Sequence, residues 1–248
     1  MKSNKITKIV GAVGTFILLL ALCLSGVLFF HSYYYELIYV SGISMSPTLH
    51  GGENEGDKAD FGIVDTHVSA LKHIKRFDIV STYYPDEGDY NLETNALRAG
   101  AKKKIKRVIG LPNETIKIEK GYLYVLKDDK FELVSYPFKV NPKIDTDYMG
   151  KDTDPEHPIK LNENQYWVLG DNRSSSRDCA SIGKPIEYEN LYGVLVAIEG
   201  TGSLYVKEYA CEICGKTYKS LGNGYCHGTQ LKKVLDVKNK QYQWPKYY

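Results

Sequence analysis

Three groups of residues in this 248-residue chain have the types and spacing to do chemistry: a cluster of serines, several lysines, and a Cys/His quartet near the C-terminus. The segment SGISMSPTLH, residues 41–50, holds three serines, a methionine and a proline just past a long apolar run. A serine hydroxyl becomes a nucleophile only when a base takes its proton, and a lysine can be that base only where burial holds it neutral. Each unit of lowered pKa costs about 1.4 kcal/mol, so such a lysine needs apolar walls and hydrogen-bond partners. Lys106, in KKIKRVIGL, stands just before an apolar strand pattern, but other lysines are equally visible and composition does not choose among them.

The second candidate is CEICGKTYKSLGNGYCH, which supplies Cys211, Cys214, Cys226 and His227. A CxxC knuckle followed by a Cys/His pair offers four soft ligands and suits a structural, tetrahedral zinc in a zinc-ribbon-like fold. Adjacent ligands at Cys226 and His227 are unusual, and a disulfide with one thiol left over is the competing reading. Cys23 and Cys179 are expected to be buried small residues.

The elements that must position these groups are mostly strands. Short runs such as YYELIYV, FDIVSTYY, IKRVIGL, TIKIEKGYLYVL, FELVSYPFKV, QYWVLGD and YGVLVAIEG alternate with Gly, Pro and Asn punctuation. The period of two predicts a mainly β body. TIKIEKGYLYVLKDD reads as a hairpin turning at Gly121, and the polar stretches 83–104 and 141–164 read as loops or insertions. Lys and Arg number 32 against 30 acidic residues, so the net charge of +2 points to no nucleic-acid partner through bulk electrostatics.

Residues 9–30 contain no charge and reach about 33 Å as a helix, enough to cross a bilayer core. Lys2, Lys5 and Lys8 precede the run and a tyrosine cluster follows it. The positive-inside rule then puts the N-terminus in the cytoplasm and the body outside the cell membrane, with lipid around a single-pass anchor. A cleaved signal peptide, the alternative, has a shorter apolar core and a small-residue cleavage site.

Four separated segments together resemble the type I signal peptidases, the S26 family of membrane-bound Ser/Lys proteases: SGISMSPTL (41–49), RFDIV (76–80), IKRVIGLPNETI (105–116) and LGDNRSSSRDCASIG (169–183). Their order and spacing match across about residues 8–200. The resemblance implies a signal-peptidase-like β fold with no cofactor for catalysis, acting on preproteins that carry signal peptides. It makes Ser44 the nucleophile and Lys106 the general base, with Ser176 hydrogen-bonded to that lysine and Asp178 supporting the site through basic partners. Gly170, Asp171, Asn172 and Arg173 match the family's GDNR turn. Gly42 lets the backbone approach closely and Pro47 stiffens the exit, so amides near Ser44 can face a developing oxyanion. Met45 reads as an apolar wall near the lysine.

The chain departs from the pattern where DCAS replaces the family's usual Ser-Arg after the aspartate. That leaves Asp178 to find another partner among Arg107, Arg173 and Arg177. The expected organisation is a cytoplasmic N-terminus (1–8), an anchor (9–31), a peptidase body (32–200) with a β insertion near 113–165, and a small C-terminal knuckle module (201–248). The family resemblance does not extend to that module. Rival readings are a self-cleaving repressor, which the membrane run disfavours, a membrane-anchored zinc-ribbon binding or scaffold protein with an inactive body, and a specialised peptidase with few substrates.

Overall fold

The computed structural model describes residues 2–84, 90–91, 96–97, 101–120, 122–134, 157–211, 213–222 and 224–247. Gly121, residues 85–89, 92–95, 98–100 and 141–156 of the two polar stretches, and residues 135–140 of the expected strand FELVSYPFKV lie outside the described residues. The chain divides into two units, residues 1–36 and 37–248. The first is essentially helix α1 (Lys2–Tyr34), whose exposed segment Ile9–Phe30 is long and apolar enough to cross a membrane.

The second unit is built from strands. In chain order they begin with β1 (Tyr35–Tyr39) and β2 (Lys58–Asp65), followed by helix α2 (Val68–Lys72), β3 (Ile79–Thr82), β4 (Tyr90–Asn91), β5 (Ala96–Leu97) and β6 (Lys104–Gly110). Next come β7 (Thr115–Glu119), β8 (Tyr122–Lys127), β9 (Lys130–Leu133), β10 (Ile159–Lys160), β11 (Gln165–Leu169), helix α3 (Cys179–Ile182) and β12 (Ile186–Glu187). The chain closes with β13 (Leu191–Ala210), β14 (Thr217–Tyr218), β15 (Tyr225–Cys226), β16 (Thr229–Gln230) and β17 (Lys232–Tyr247).

The main sheet runs β1-β2-β13-β3-β6-β11-β12, with β14 and β17 added on β13. A second sheet, β10-β7-β8-β9, occupies the region expected as an insertion. Strands β7 and β8 form the expected hairpin, and each buries every second residue, which is why their alternation was readable. Ile116, Ile118, Leu123 and Val125 from this sheet pack with Val80, Val108, Ile109 and Trp167 of the main sheet in one core. A second cluster joins Val40, Met45 and Leu49 to Val64, Ile79, Leu195 and Ile198.

The C-terminal region is more continuous with the body than its composition suggests. Residue 200, the expected boundary, lies inside the 20-residue strand β13, and β17 pairs back along it from Ala210↔Lys232 to Ala197↔Tyr247. Val237 joins Ala59, Phe61 and Leu204 in a third buried cluster. The lysine content of β17 hides its strand character in sequence. In the fold it covers backbone groups of β13 that an open edge would expose.

Candidate active site

The site is assembled from three stretches of chain. The first is the turn after β1. Gly42 takes φ +75, which favours glycine, and its N–H donates to Gly52 O, closing residues 42–52 into a loop. Ser46 N–H donates to Ile43 O and Leu49 N–H to Met45 O, tightening the turn that presents Ser44. Met45 and Leu49, 1% and 0% exposed, plug it into the second core cluster. Met45 is therefore a core anchor of the serine turn.

The second stretch is β6. Its register with β3, Val80↔Lys106, holds Lys106 in the middle of the sheet. Lys106 is 4% exposed, and its Nζ donates to Ser44 Oγ at 2.8 Å and to Ile105 O at 2.9 Å. Burial of this kind disfavours an ammonium relative to the neutral amine. The two residues are 62 apart in sequence, and the fold brings them to hydrogen-bond distance.

The third stretch is the turn after β11. Asn172 N–H donates to Ser44 O at 3.0 Å and its side-chain amide to Ile43 O at 3.2 Å, so this turn grips the serine loop directly. A Cβ on Gly170 would stand 2.2 Å from Ser176 Oγ and 2.5 Å from Ser44 O, so only glycine fits. Ser176 is thus buried against Gly170, close to the backbone of Ser44.

Two assignments take a different form from the sequence reading. Asp178, expected to work through a basic partner, accepts from backbone groups: Gly170 N–H at 2.9 Å and Ala180 N–H at 3.2 Å. It is the N-cap of α3, in a capping box closed by Ser181. Two N–H groups thus reach the carboxylate from Gly170 and from α3. Arg107 is bound to Asp171: Nε and NH2 donate to the two carboxylate oxygens at 2.8 and 2.6 Å, and NH1 donates to Phe77 O. Thr48 Oγ1 donates to the same carboxylate at 2.6 Å. Asp171 therefore ties the serine loop to the lysine strand, a role its place in the GDNR turn did not reveal. Thr48, four residues after Ser44, gave no signal of its own.

The Cys/His quartet also converges. The ligand atoms of Cys211, Cys214, Cys226 and His227 all lie within 4.8 Å of one another. Cys214 Sγ and Cys226 Sγ are 3.9 Å apart, close to the edge of about 3.8 Å that a tetrahedron with zinc–sulfur bonds of about 2.3 Å requires. That spacing is nearly twice a disulfide bond of about 2.05 Å, and all five cysteines are free. His227 takes φ +51, which turns its Nδ1 to 3.2 Å from Cys226 Sγ and lets adjacent residues face one point. The Cys214 N–H, helped by the His227 side chain and the Ile213 N–H, pulls the Cys211 thiol down to about 6. The donor to Cys226 Sγ, the Tyr218 hydroxyl, is pushed up to about 12 chiefly by that bond. The low Cys211 thiol suits a soft metal, whereas Cys226 is raised: the Tyr218 bond lowers it, but desolvation and the neighbouring Cys211 and Cys214 thiols outweigh that bond.

A Ser/Lys pair in a mainly β body is the arrangement of a serine peptidase, and the sequence comparisons agree. Residues 10–198 match the family described as signal peptidase, peptidase S26, and this chain belongs to that family. It is 34% identical to signal peptidase I V of Bacillus subtilis (strain 168), over 63% of this chain and 80% of that protein. It is 32% identical to a signal peptidase I of Bacillus licheniformis, over 61% of this chain and 69% of that protein. A crystal structure of a signal peptidase I from Enterococcus faecalis V583 aligns at 26% identity with a TM-score of 0.34, over 49% of this chain and 96% of that one.

Proposed function

We propose that this chain is a membrane-bound serine endopeptidase that removes N-terminal signal peptides from secreted preproteins, with Ser44 as nucleophile and Lys106 as general base. The observation that carries the assignment of roles is the 2.8 Å contact between Lys106 Nζ and Ser44 Oγ in a buried setting.

The neutral amine of Lys106 takes the Ser44 proton as Oγ attacks the scissile carbonyl carbon. Among the described residues the Ser44 N–H donates to no other group, so it is available to the oxyanion of the tetrahedral intermediate. Gly42 stands where some family members place a serine hydroxyl, and this oxyanion hole leans on backbone. Collapse breaks the peptide C–N bond, and Lys106 passes its proton to the departing amine of the mature protein. The signal peptide remains as an ester on Ser44. A water, deprotonated by Lys106, attacks that ester and releases the signal peptide as a carboxylic acid with Ser44 restored.

A substrate entering as an extended strand directs every second side chain to the enzyme, so small residues at alternate positions follow from strand geometry. Helix α1 is the single-pass anchor in this reading. The lysines before it keep the N-terminus cytoplasmic and place the body on the outer face. Cys211, Cys214, Cys226 and His227 would hold a zinc ion, which supplies a cross-link between two turns and takes no part in hydrolysis.

Cleavage of a secretory preprotein in detergent, by wild type beside Ser44→Ala and Lys106→Ala, tests the assignment. Cleavage after a small-residue motif, abolished in both variants, is the expected result. Activity that survives Ser44→Ala would reject the dyad, and no cleavage by the wild type would reject the peptidase.

A further inference from the structure

Strand β13 outgrows the sheet. Its pairing with β2 ends at Ser203↔Lys58, while its pairing with β17 continues to Ala210↔Lys232. The seven residues past Ser203 extend it by roughly 23 Å at about 3.3 Å each. The root of this ribbon adjoins the serine loop: Gly56 N–H donates to Leu204 O, and a Cβ on Gly52 would lie 3.0 Å from Leu204 Cδ1. Gly52 O in turn accepts from Gly42 N–H. The Cys/His knuckle therefore crowns a ribbon rooted beside the loop that bears Ser44.

The knuckle buries Cys211 and Leu231 but leaves large apolar side chains outside. Ile213, Leu221 and Tyr225 are 59%, 44% and 58% exposed. Ile213 precedes Cys214 and Tyr225 precedes Cys226, whose sulfurs are 3.9 Å apart, so two of these side chains spring from one small cluster. Lys216 and Lys219 are exposed in the segment between those cysteines. Residues 203–248 hold eight lysines and three acidic residues, a net +5 in a chain whose total is +2, which leaves residues 1–202 at −3. The basic excess of the protein is thus concentrated in the ribbon and its tip.

Single exposed apolar residues are ordinary, but aliphatic and tyrosine side chains set among lysines on a projecting tip match the chemistry of the membrane interface. We infer that the knuckle is a second membrane contact that docks on anionic lipid headgroups. Ile213, Leu221 and Tyr225 enter the interface, and Lys216 and Lys219 face the phosphates. The inference rests on the reading of α1 as a membrane span, which tethers the body to the bilayer and makes a weak second contact effectively intramolecular. A ribbon held at its far end also sets the height of its root, and with it the Ser44 loop, over the lipid surface.

The test uses the full chain in vesicles of phosphatidylcholine, and of phosphatidylcholine with phosphatidylglycerol in equal parts. A membrane-impermeant amine-acylating reagent labels the lysines, and mass spectrometry reads Lys216 and Lys219 relative to Lys72, which is exposed on α2. Docking should slow relative labelling of both by at least about five-fold in the anionic vesicles, the equivalent of about 1 kcal/mol per lysine. The protection should shrink in high salt and in the Ile213→Ser/Leu221→Ser variant. Equal labelling in the two compositions overturns the inference, as does protection that arises only when a preprotein is added, which would make the tip a polypeptide-docking surface. Vesicle flotation separates the two readings. Protein left behind in both compositions refutes the span, whereas protein that floats in both with equal labelling refutes the docking.

Discussion

Replacing Asp171 with asparagine probes the joint between the two halves of the site. The Arg107 and Asp171 side chains are 5% and 10% exposed, and the guanidinium donates to both Asp171 carboxylate oxygens. Asp171→Asn keeps the shape but removes this carboxylate charge from beside a buried guanidinium, a change that costs about 3–5 kcal/mol. With a urea slope of about 1–3 kcal/mol/M, the unfolding midpoint of the full chain in detergent should fall by roughly 1–5 M, followed by near-UV circular dichroism. The double variant Arg107→Met/Asp171→Leu removes both charges and should recover part of the lost stability, the remainder staying lost because Arg173 NH2, 3.9 Å from Asp171 Oδ1, loses that partner. Preprotein cleavage should stay low in that double variant, because Thr48 has lost its acceptor and the serine loop its tie to β6. A loss below about 1 kcal/mol in Asp171→Asn would refute the argument, and so would a double variant as unstable as the single one.

The other predictions are smaller in scope. Gly170→Ala should depress cleavage by at least about ten-fold, because its methyl group collides with Ser176 Oγ and Ser44 O, and near-wild-type activity in the preprotein assay would contradict the packing. Asp178→Ala removes a helix cap and the acceptor of Gly170 N–H, and should lower stability by about 1–2 kcal/mol in the same urea titration. Met45→Ala opens a cavity under the serine turn and should lose about 2–5 kcal/mol. Cys226→Ser should reduce bound zinc well below one per chain by elemental analysis, and chelation of the wild type should loosen residues 211–231 in hydrogen exchange while preprotein cleavage in detergent continues.

Much of the site was legible before the fold. The serine turn was picked out by the family resemblance of four segments taken together, and the turn that Gly42 and Pro47 suggested is local, within ten residues. The Cys/His quartet was legible for the same reason: ligand spacing in a short knuckle is a local property. Strands β7 and β8 declared themselves by burying one face, and α1 by its uncharged length.

What sequence could not supply were relations between distant segments. By composition Lys106 is one lysine among many; only the family resemblance singled it out, and the pairing of β6 with β3 is what buries it beside Ser44. The N–H groups of Gly170 and Ala180 that Asp178 accepts from come from the turn after β11 and from α3, and left no mark in its own stretch of sequence. Asp171 gains its weight only when the turn after β11 reaches both Arg107 and Thr48. Strand β17 shows the limit most plainly, since nothing in a lysine-rich tail announces that the edge of β13 lies open to receive it. Sequence alone determined the chemistry on offer, the strand content and the membrane run, because these depend on local pattern. The tertiary structure decided which lysine is buried, which carboxylate ties the site together and where the knuckle stands, because each depends on pairing between segments far apart in the chain.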